Sequence, residues 1–193
     1  MVPLDRSHVQ AVDHLVDALV TAAGVPAAAR SSEAHITVVA YAGLPGGPAR
    51  RAVAPVAAAT APFTTHAHGY GLFTGTDPAD LSLHVPVVRS GPLDALHRAA
   101  CDALVAAGAE IAGWSAPGAW SPHITLVDRN LDPSQLGAAV AWLARRPHPS
   151  WCVTVDRVAL AGSGQTRGRR HGPVLRLGAP AGPPPIHPEG AST

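Results

Sequence analysis

The sequence predicts an α+β fold in which two antiparallel-sheet lobes, with helices on their outer faces, flank a central cleft. Stretches with the two-residue alternation of strands are separated by stretches with apolar residues at helical spacing. Two strand-like stretches, 34–39 and 121–127, share the tripeptide His-Ile-Thr, and their histidines lie 88 positions apart (123 − 35). A length of 193 residues fits one domain built from two comparable halves.

We expect residues 1–178 to form this single bilobal domain and residues 179–193, with Pro183-Pro184-Pro185, to be a disordered tail. Apolar periodicity predicts helices over 7–23, 49–60, 92–107 and 132–146. Ser7 is expected to cap the first helix and Gly24 to end it. Alternation and turn signals predict strands over 35–42, 63–73, 81–88, 121–127, 151–161 and 173–177.

All 14 basic residues are arginine, which excludes chemistry that needs a lysine amine. Lysine adenylation by an ATP-dependent ligase, Schiff-base catalysis and a Gly-Lys-Ser/Thr P-loop are all excluded on this ground. No run of 18 or more apolar residues and no charged-then-apolar leader occurs, so we expect a soluble cytoplasmic protein. Cys101 and Cys152 lack metal-ligand spacing and are expected to be reduced and partly buried.

The repeated tripeptide carries the clearest functional signal. Because side chains alternate along a strand, His35 and Thr37 project from one face of their strand. His123 and Thr125 do the same on theirs. Two imidazoles and two hydroxyls that meet can move two protons and hold an oxyanion, as in-line cleavage of a phosphate ester requires. The simpler alternative is a pair of partly buried strand histidines capped by threonines.

These two tripeptides, His35-Ile36-Thr37 and His123-Ile124-Thr125, resemble the paired His-x-Thr/Ser motifs of the 2H phosphoesterase superfamily, the LigT-like or 2′-5′ RNA ligase group. The resemblance extends from about residue 31 to residue 177 and includes Pro62-Phe63 and the stretch 69–73. It departs at the start, since members begin with a strand and a helix is expected here. The resemblance implies a bilobal fold with one motif per lobe, facing across the groove.

The same resemblance implies a cyclic phosphodiesterase that opens a 2′,3′-cyclic phosphate on a nucleotide or an RNA end without a metal or cofactor. One neutral imidazole would take a proton from water, and a protonated one would supply the leaving ribose oxygen. Thr37 and Thr125 would hold the nonbridging oxygens. We assign His123 as base and His35 as acid, although the opposite assignment fits the residues equally well. Ligase activity would be the reverse reaction. We expect a monomer without a membrane or an obligate protein partner.

Two tryptophans and a tyrosine are candidates for substrate binding. Trp114 and Trp120 lie in the irregular stretch 108–121, immediately before the second motif, where a ring can stack on a nucleobase. Core packing beneath the strand is the alternative for Trp120. Tyr41, on the predicted strand of the first motif, is a further candidate.

Arginines in the second half are candidates for phosphate contacts. Between Arg129 and Arg176, eight arginines stand against two aspartates, an excess of six positive charges (8 − 2). That excess suits a nucleotide phosphate or a polyanion. The candidates lie in the glycine-rich loop 162–172 and are Arg167, Arg169 and Arg170. A basic surface loop that serves only solubility is the alternative.

Two other functions stay open. His66 and His68, on a predicted strand, form a pair that can ligate zinc in a metallohydrolase. The residues that follow, 69–71, supply no acidic ligand, so we expect a solvent-facing pair. His84 and His97 are expected to be surface or satisfied structural histidines. The remaining alternative is a non-catalytic nucleotide- or RNA-binding relative on the same fold.

Overall fold

A computed structural model of the chain describes residues 1–31, 34–74, 81–128, 131–160 and 173–178. Its helices are α1 (Arg6–Ala23), α2 (Gly46–Ala59), α3 (Gly91–Ala106) and α4 (Pro133–Leu143), with short 3-10 helices at Ala27–Ala29 and Gly113–Ser115. Its strands are β1 (Val2–Pro3), β2 (His35–Ile36), β3 (Tyr41–Ala42), β4 (Phe63–His68), β5 (Gly71–Phe73), β6 (Ser82–Pro86), β7 (Glu110–Ile111), β8 (His123–Asp128), β9 (Ser150–Val155), β10 (Arg157–Ala159) and β11 (Val174–Arg176). The predicted α+β class is confirmed.

The largest sheet has five antiparallel strands in the order β1-β2-β8-β6-β5. Two-stranded antiparallel sheets pair β3 with β7, β4 with β9, and β10 with β11. Main-chain contacts connect two of these pairs to the large sheet. Ala67 of β4 bridges to Val87, directly after β6, and Met1 exchanges two main-chain hydrogen bonds with Ala159 of β10. Strands from both halves of the chain therefore build the central sheet.

The chain begins with a strand, so the expectation of a helix at the start was wrong. Val2 pairs with Ile36, and helix α1 follows only at Arg6. A two-residue strand is too short to produce a periodic pattern, which is why the sequence did not indicate it. The chain therefore shares the strand-first start from which it was expected to depart.

Helix α1 is capped two residues earlier than predicted. Asp5, not Ser7, is the N-cap, because its carboxylate accepts both the amide of His8 at 2.9 Å and the hydroxyl of Ser7 at 2.7 Å. Gly24 ends the helix in the left-handed conformation, with φ 65°, as predicted. Its buried stripe recurs at helical spacing and consists of Val12, Val16, Leu19 and Ala23.

Helix α4 starts with the signals that the sequence predicted. Asp132 caps it by accepting the amides of Ser134 and Gln135, and Pro133 occupies the first turn. The Gln135 side chain accepts the Asp132 amide in return, which completes a capping box. The helix packs against α1, which itself packs on β8, the strand of the second motif.

The core lies behind the two motif strands. Ile36, Ile124 and Leu126 are fully buried, together with Val85 of the neighbouring strand β6. Within the described ranges, none of the helices combines the length and hydropathy needed to cross a bilayer. The predicted tail, 179–193, lies outside the residues that the structure describes.

Candidate active site

The two His-Ile-Thr motifs lie on neighbouring antiparallel strands, β2 and β8, with Ile36 directly opposite Ile124. Residue numbers of antiparallel partners add to a constant, here 160 (36 + 124). Extending this register by one residue places His35 opposite Thr125 and Thr37 opposite His123. Since both isoleucines point into the core, all four polar side chains project from the other face. The two motifs thus meet side by side in one shared sheet.

The first motif makes an internal contact. The Thr37 hydroxyl lies 3.2 Å from Nε2 of His35, and both side chains are half-buried. The contact brings Nε2 of His35 within hydrogen-bond distance of the threonine of its own motif. The imidazole and the hydroxyl can therefore act on one bound group.

The second motif has a defined tautomer. Nδ1 of His123 lies 2.8 Å from the carbonyl oxygen of Ser121. A carbonyl oxygen only accepts, so Nδ1 must carry the proton of the neutral ring, and Nε2 is left as its proton acceptor. This bond leaves Nε2 of His123 as the ring nitrogen that can accept a proton.

A third histidine and a phenylalanine surround His123. His84 of β6 is opposite Thr125 in the register, and its ring centroid lies 5.1 Å from that of His123. Phe73 of β5 stands edge-on to His123, at a centroid distance of 4.8 Å. His84 is buried, so of its two expected positions the surface one was wrong. Its Nδ1 has no hydrogen-bond partner of ordinary geometry among the described residues; burial lowers its pKa, and a weaker main-chain contact with Ser82 acts to raise it. The sequence reasoning missed both residues because the order of strands in the sheet cannot be read from spacing.

Side chains from the second half of the chain hold the backbone that follows the first motif. Nε1 of Trp120 donates to the Thr37 carbonyl at 3.1 Å, and Nδ1 of His97 donates to the Val38 carbonyl at 2.7 Å. The amide of Ala40 donates to the Ser115 hydroxyl at 2.9 Å. His97 was expected to be either a surface or a satisfied structural histidine, and it is the latter. Burial lowers its pKa.

Trp120 belongs to the core. Only 3% of it is exposed, and its indole stacks on His97 with a centroid distance of 3.9 Å and an interplanar angle of 11°. Both faces and the N–H of this ring are thus engaged or covered by protein. The base-stacking interpretation of Trp120 does not fit this position, and the core-packing alternative does.

The other predicted binding residues are placed differently. Trp114 lies on the 3-10 helix Gly113–Ser115 and is 56% exposed, so its ring is free to stack on a ligand. Tyr41 is half-buried and lines an apolar cavity together with Thr37, and burial raises its pKa. The three predicted arginines, Arg167, Arg169 and Arg170, lie outside the described residues.

The proposed zinc pair does not assemble into a site. His66 and His68 are exposed on β4, and the ring of His68 contacts that of His148 at a centroid distance of 4.4 Å. Across the described residues, no group of three or more His, Cys, Asp or Glu side chains is arranged to hold a metal ion. Both cysteines are free, and Cys101 is buried, but Cys152 is exposed where partial burial was expected.

Comparisons with known proteins concern the family and the fold of the chain. The model of the 2′-5′ RNA ligase superfamily matches residues 4–167, a range that contains both motifs. The fold is similar to a crystal structure of a phosphoesterase, with a TM-score of 0.58, 17% sequence identity, and coverage of 91% of this chain and 94% of that chain. At that identity the likeness concerns the fold. A search of curated proteins finds no match.

Proposed function

Since the chain belongs to the 2′-5′ RNA ligase superfamily, we propose that it hydrolyses 2′,3′-cyclic phosphodiesters, on a nucleotide or at an RNA end, without a metal ion. The observation that carries the proposal is the register of β2 and β8. It sets two histidines and two threonines on one face of the sheet, which are the groups that acid–base cleavage of a phosphodiester requires.

The contact of His123 with Ser121 supports its role as general base. With Nδ1 committed to a carbonyl, Nε2 is the atom that takes a proton from the attacking water. The new bond forms between that water oxygen and phosphorus, and the bond from phosphorus to one ribose oxygen breaks. His35, in its protonated form, supplies a proton to the leaving oxygen. Exchange with solvent then returns the proton from His123 and reprotonates His35.

The two threonines supply electrostatic stabilisation of the phosphate while the histidines transfer protons. Hydroxyls of Thr37 and Thr125 donate to the nonbridging phosphate oxygens, where negative charge builds up in the transition state. Thr125 of β8 lies opposite His35 of β2 when the register is extended by one residue, and the Thr37 hydroxyl lies 3.2 Å from Nε2 of His35. Imidazoles in general titrate near neutral pH, so a neutral and a protonated ring can coexist there.

Residues around the motifs supply candidate substrate contacts. Phe73 is 36% exposed and stands edge-on to His123, so its ring offers an apolar surface to the nucleoside beside the phosphate. Trp114 and Tyr41 remain candidates for the base, and Arg167, Arg169 and Arg170 remain candidates for further phosphates. These assignments are part of the proposal.

The test uses purified protein in EDTA with 2′,3′-cyclic nucleotides and with RNA that ends in a cyclic phosphate, across neutral and mildly acidic pH. The wild type should turn over at least one of them, with a bell-shaped pH profile. His35→Ala and His123→Ala should each lose about 10²- to 10⁴-fold in kcat. His66→Ala, which removes an exposed histidine of β4, is the matched control and should keep the wild-type rate.

Other outcomes contradict the proposal in distinct ways. Binding without turnover, unchanged in His35→Ala and His123→Ala, would identify a non-catalytic nucleotide-binding relative. Activity that EDTA abolishes and His66→Ala removes would identify a metallohydrolase. Full activity in either motif variant would exclude the two-histidine mechanism.

A further inference from the structure

His84 shares the motif face with His123 although it belongs to neither motif. It sits on β6, directly opposite Thr125, and its ring lies 5.1 Å from that of His123 between centroids. Only 5% of the residue is exposed. The proposed base therefore has an imidazole neighbour that solvent barely reaches.

The ring of His84 is in close contact with two residues of β5. It lies against the main chain of Gly71, where a Cβ atom would come within 2.3 Å of Nε2 of His84. It also stacks on Phe73, with centroids 4.0 Å apart and an interplanar angle of 20°. Glycine is needed at position 71 for this ring to fit.

The effect of His84 on the neighbouring rings is steric, since the ring is neutral and its Nδ1 is not hydrogen-bonded to them. Its Nδ1 has no hydrogen-bond partner among the described residues. Burial, together with the neighbouring charge of His123, lowers the pKa of His84 to about 4. The ring is consequently neutral at physiological pH, so neither a charge nor a hydrogen bond from Nδ1 contributes to its effect on His123.

We propose that His84 is a positioning residue for His123, a role that rests on the proposed function of His123 as general base. The ring of His84, packed against Gly71 and Phe73 of β5, limits how the His123 ring can rotate. Together with the Nδ1 bond to Ser121, it keeps Nε2 of His123 directed toward the phosphate. The layer of rings formed by Phe73 and His84 thus sets the orientation of the base.

Three variants test this role through kcat. His84→Ala removes the ring, and Gly71→Ala displaces it by placing a methyl group 2.3 Å from Nε2. Both should lower kcat about 10- to 100-fold, because misplacement of a reacting group by about 1 Å has effects of that size. KM should stay within about twofold, since substrate binding is not removed. His84→Phe keeps a ring in contact and should restore most of the rate.

Gly91→Ala is the matched glycine control. Gly91 begins α3, an added Cβ there would meet no atom within 4 Å, and this variant should behave as the wild type. If His84→Ala and Gly71→Ala are folded and keep the wild-type kcat, the positioning role is excluded. If His84→Phe is as slow as His84→Ala, a ring nitrogen matters and positioning by contact is excluded.

A nitrogen NMR experiment separates this proposal from the proposed function. Ring ¹⁵N signals of His123, assigned by their loss in His123→Ala, report its tautomer at alkaline pH. The wild type should hold the Nδ1–H form, and His84→Ala should show a mixture with the Nε2–H form. An unchanged tautomer in His84→Ala would overturn the positioning role. Absence of turnover in the wild type would reject the proposed function, and the tautomer would still decide the role of His84.

Discussion

The indole Nε1 of Trp120 donates to the carbonyl oxygen of Thr37 at 3.1 Å, so a residue three positions before the second motif holds the main chain of the first. Ile36–Ile124 is the one described pair between β2 and β8, and the first motif leaves that ladder at Thr37. Beyond the ladder, the indole N–H of Trp120 is the donor to the Thr37 carbonyl. The spacing between the two motifs therefore depends on the tryptophan as well as on the sheet.

Trp120→Phe tests this connection, because it keeps an aromatic ring against His97 but removes the N–H. The Thr37 carbonyl would be left without its donor, so the free energy of unfolding should fall by about 1–3 kcal/mol. The rate of cyclic phosphodiester hydrolysis should fall as well. Trp114→Phe, at a position 56% exposed, is the matched control and should change unfolding by less than about 0.5 kcal/mol. Equal stability of the two variants in urea would contradict the structural role of the indole N–H.

His84 should make the fold sensitive to acid. Its pKa falls from 6.5 to about 4 in the folded protein, so between these pH values the unfolded chain binds a proton that the folded chain does not. Stability is then fully present above about pH 6.5 and decreases as the pH falls toward 4. The loss reaches about 2–3 kcal/mol near the lower end of that window.

Urea unfolding of wild type and His84→Phe at neutral pH and near pH 4.5 measures this effect. The wild type should lose more stability on acidification than the variant, by roughly the amount given above. Other acidic and basic groups titrate in both proteins and cancel in the difference. Parallel losses in the two proteins would show that His84 keeps its ordinary pKa in the fold.

Ile36 and Ile124 should be the most sensitive apolar positions behind the site. Both are fully buried and face each other across the strand pair that sets the motif register. Ile124→Ala should lower the free energy of unfolding by about 2–5 kcal/mol. Val140→Ala on α4, where the side chain is 47% exposed, should have an effect below about 0.5 kcal/mol. Chemical denaturation compares them, and a mild effect of Ile124→Ala would argue against the described register.

Trp114 should contribute to substrate binding and not to the fold. Stacking of a base on an aromatic ring contributes about 1–3 kcal/mol, so Trp114→Ala should raise KM for a cyclic nucleotide about tenfold. The kcat should be unchanged, because the ring touches none of the reacting groups. Steady-state kinetics with the wild type and with Val105→Ala, an exposed position on α3, provide the comparison. A wild-type KM for Trp114→Ala would remove this residue from the binding site.

Elements with local signals could be predicted from the sequence. Asp132, Pro133 and Gln135, which lie within four residues, form the start of α4. Gly24 ends α1 where the apolar stripe stops. Alternation on either side of the loop predicted that 151–161 pairs with 173–177, and β10 does pair with β11, although β9, the first part of that stretch, pairs with β4. In each case the interactions that fix the element lie close together in the sequence.

The parts of the site that depend on sheet order could not be predicted. His84 and Phe73 reach His123 only because β6 and β5 follow β8 in the sheet, and no spacing in the sequence encodes that order. Trp120 offered two interpretations because its burial depends on His97, which comes from a helix 23 positions earlier (120 − 97). The repeated His-Ile-Thr, by contrast, identified both motif strands, since the repeat is visible without any knowledge of their pairing.

The shared acid–base role of His35 and His123 is tested most directly by a double-mutant cycle on hydrolysis of a 2′,3′-cyclic nucleotide in EDTA. The wild type, His35→Ala, His123→Ala and the double variant are compared by kcat. If the two rings work as one acid–base unit, each single variant loses about 10²- to 10⁴-fold and the double variant loses little more. Losses that multiply in the double variant, or a single variant that keeps the wild-type rate, would contradict a shared proton-transfer role.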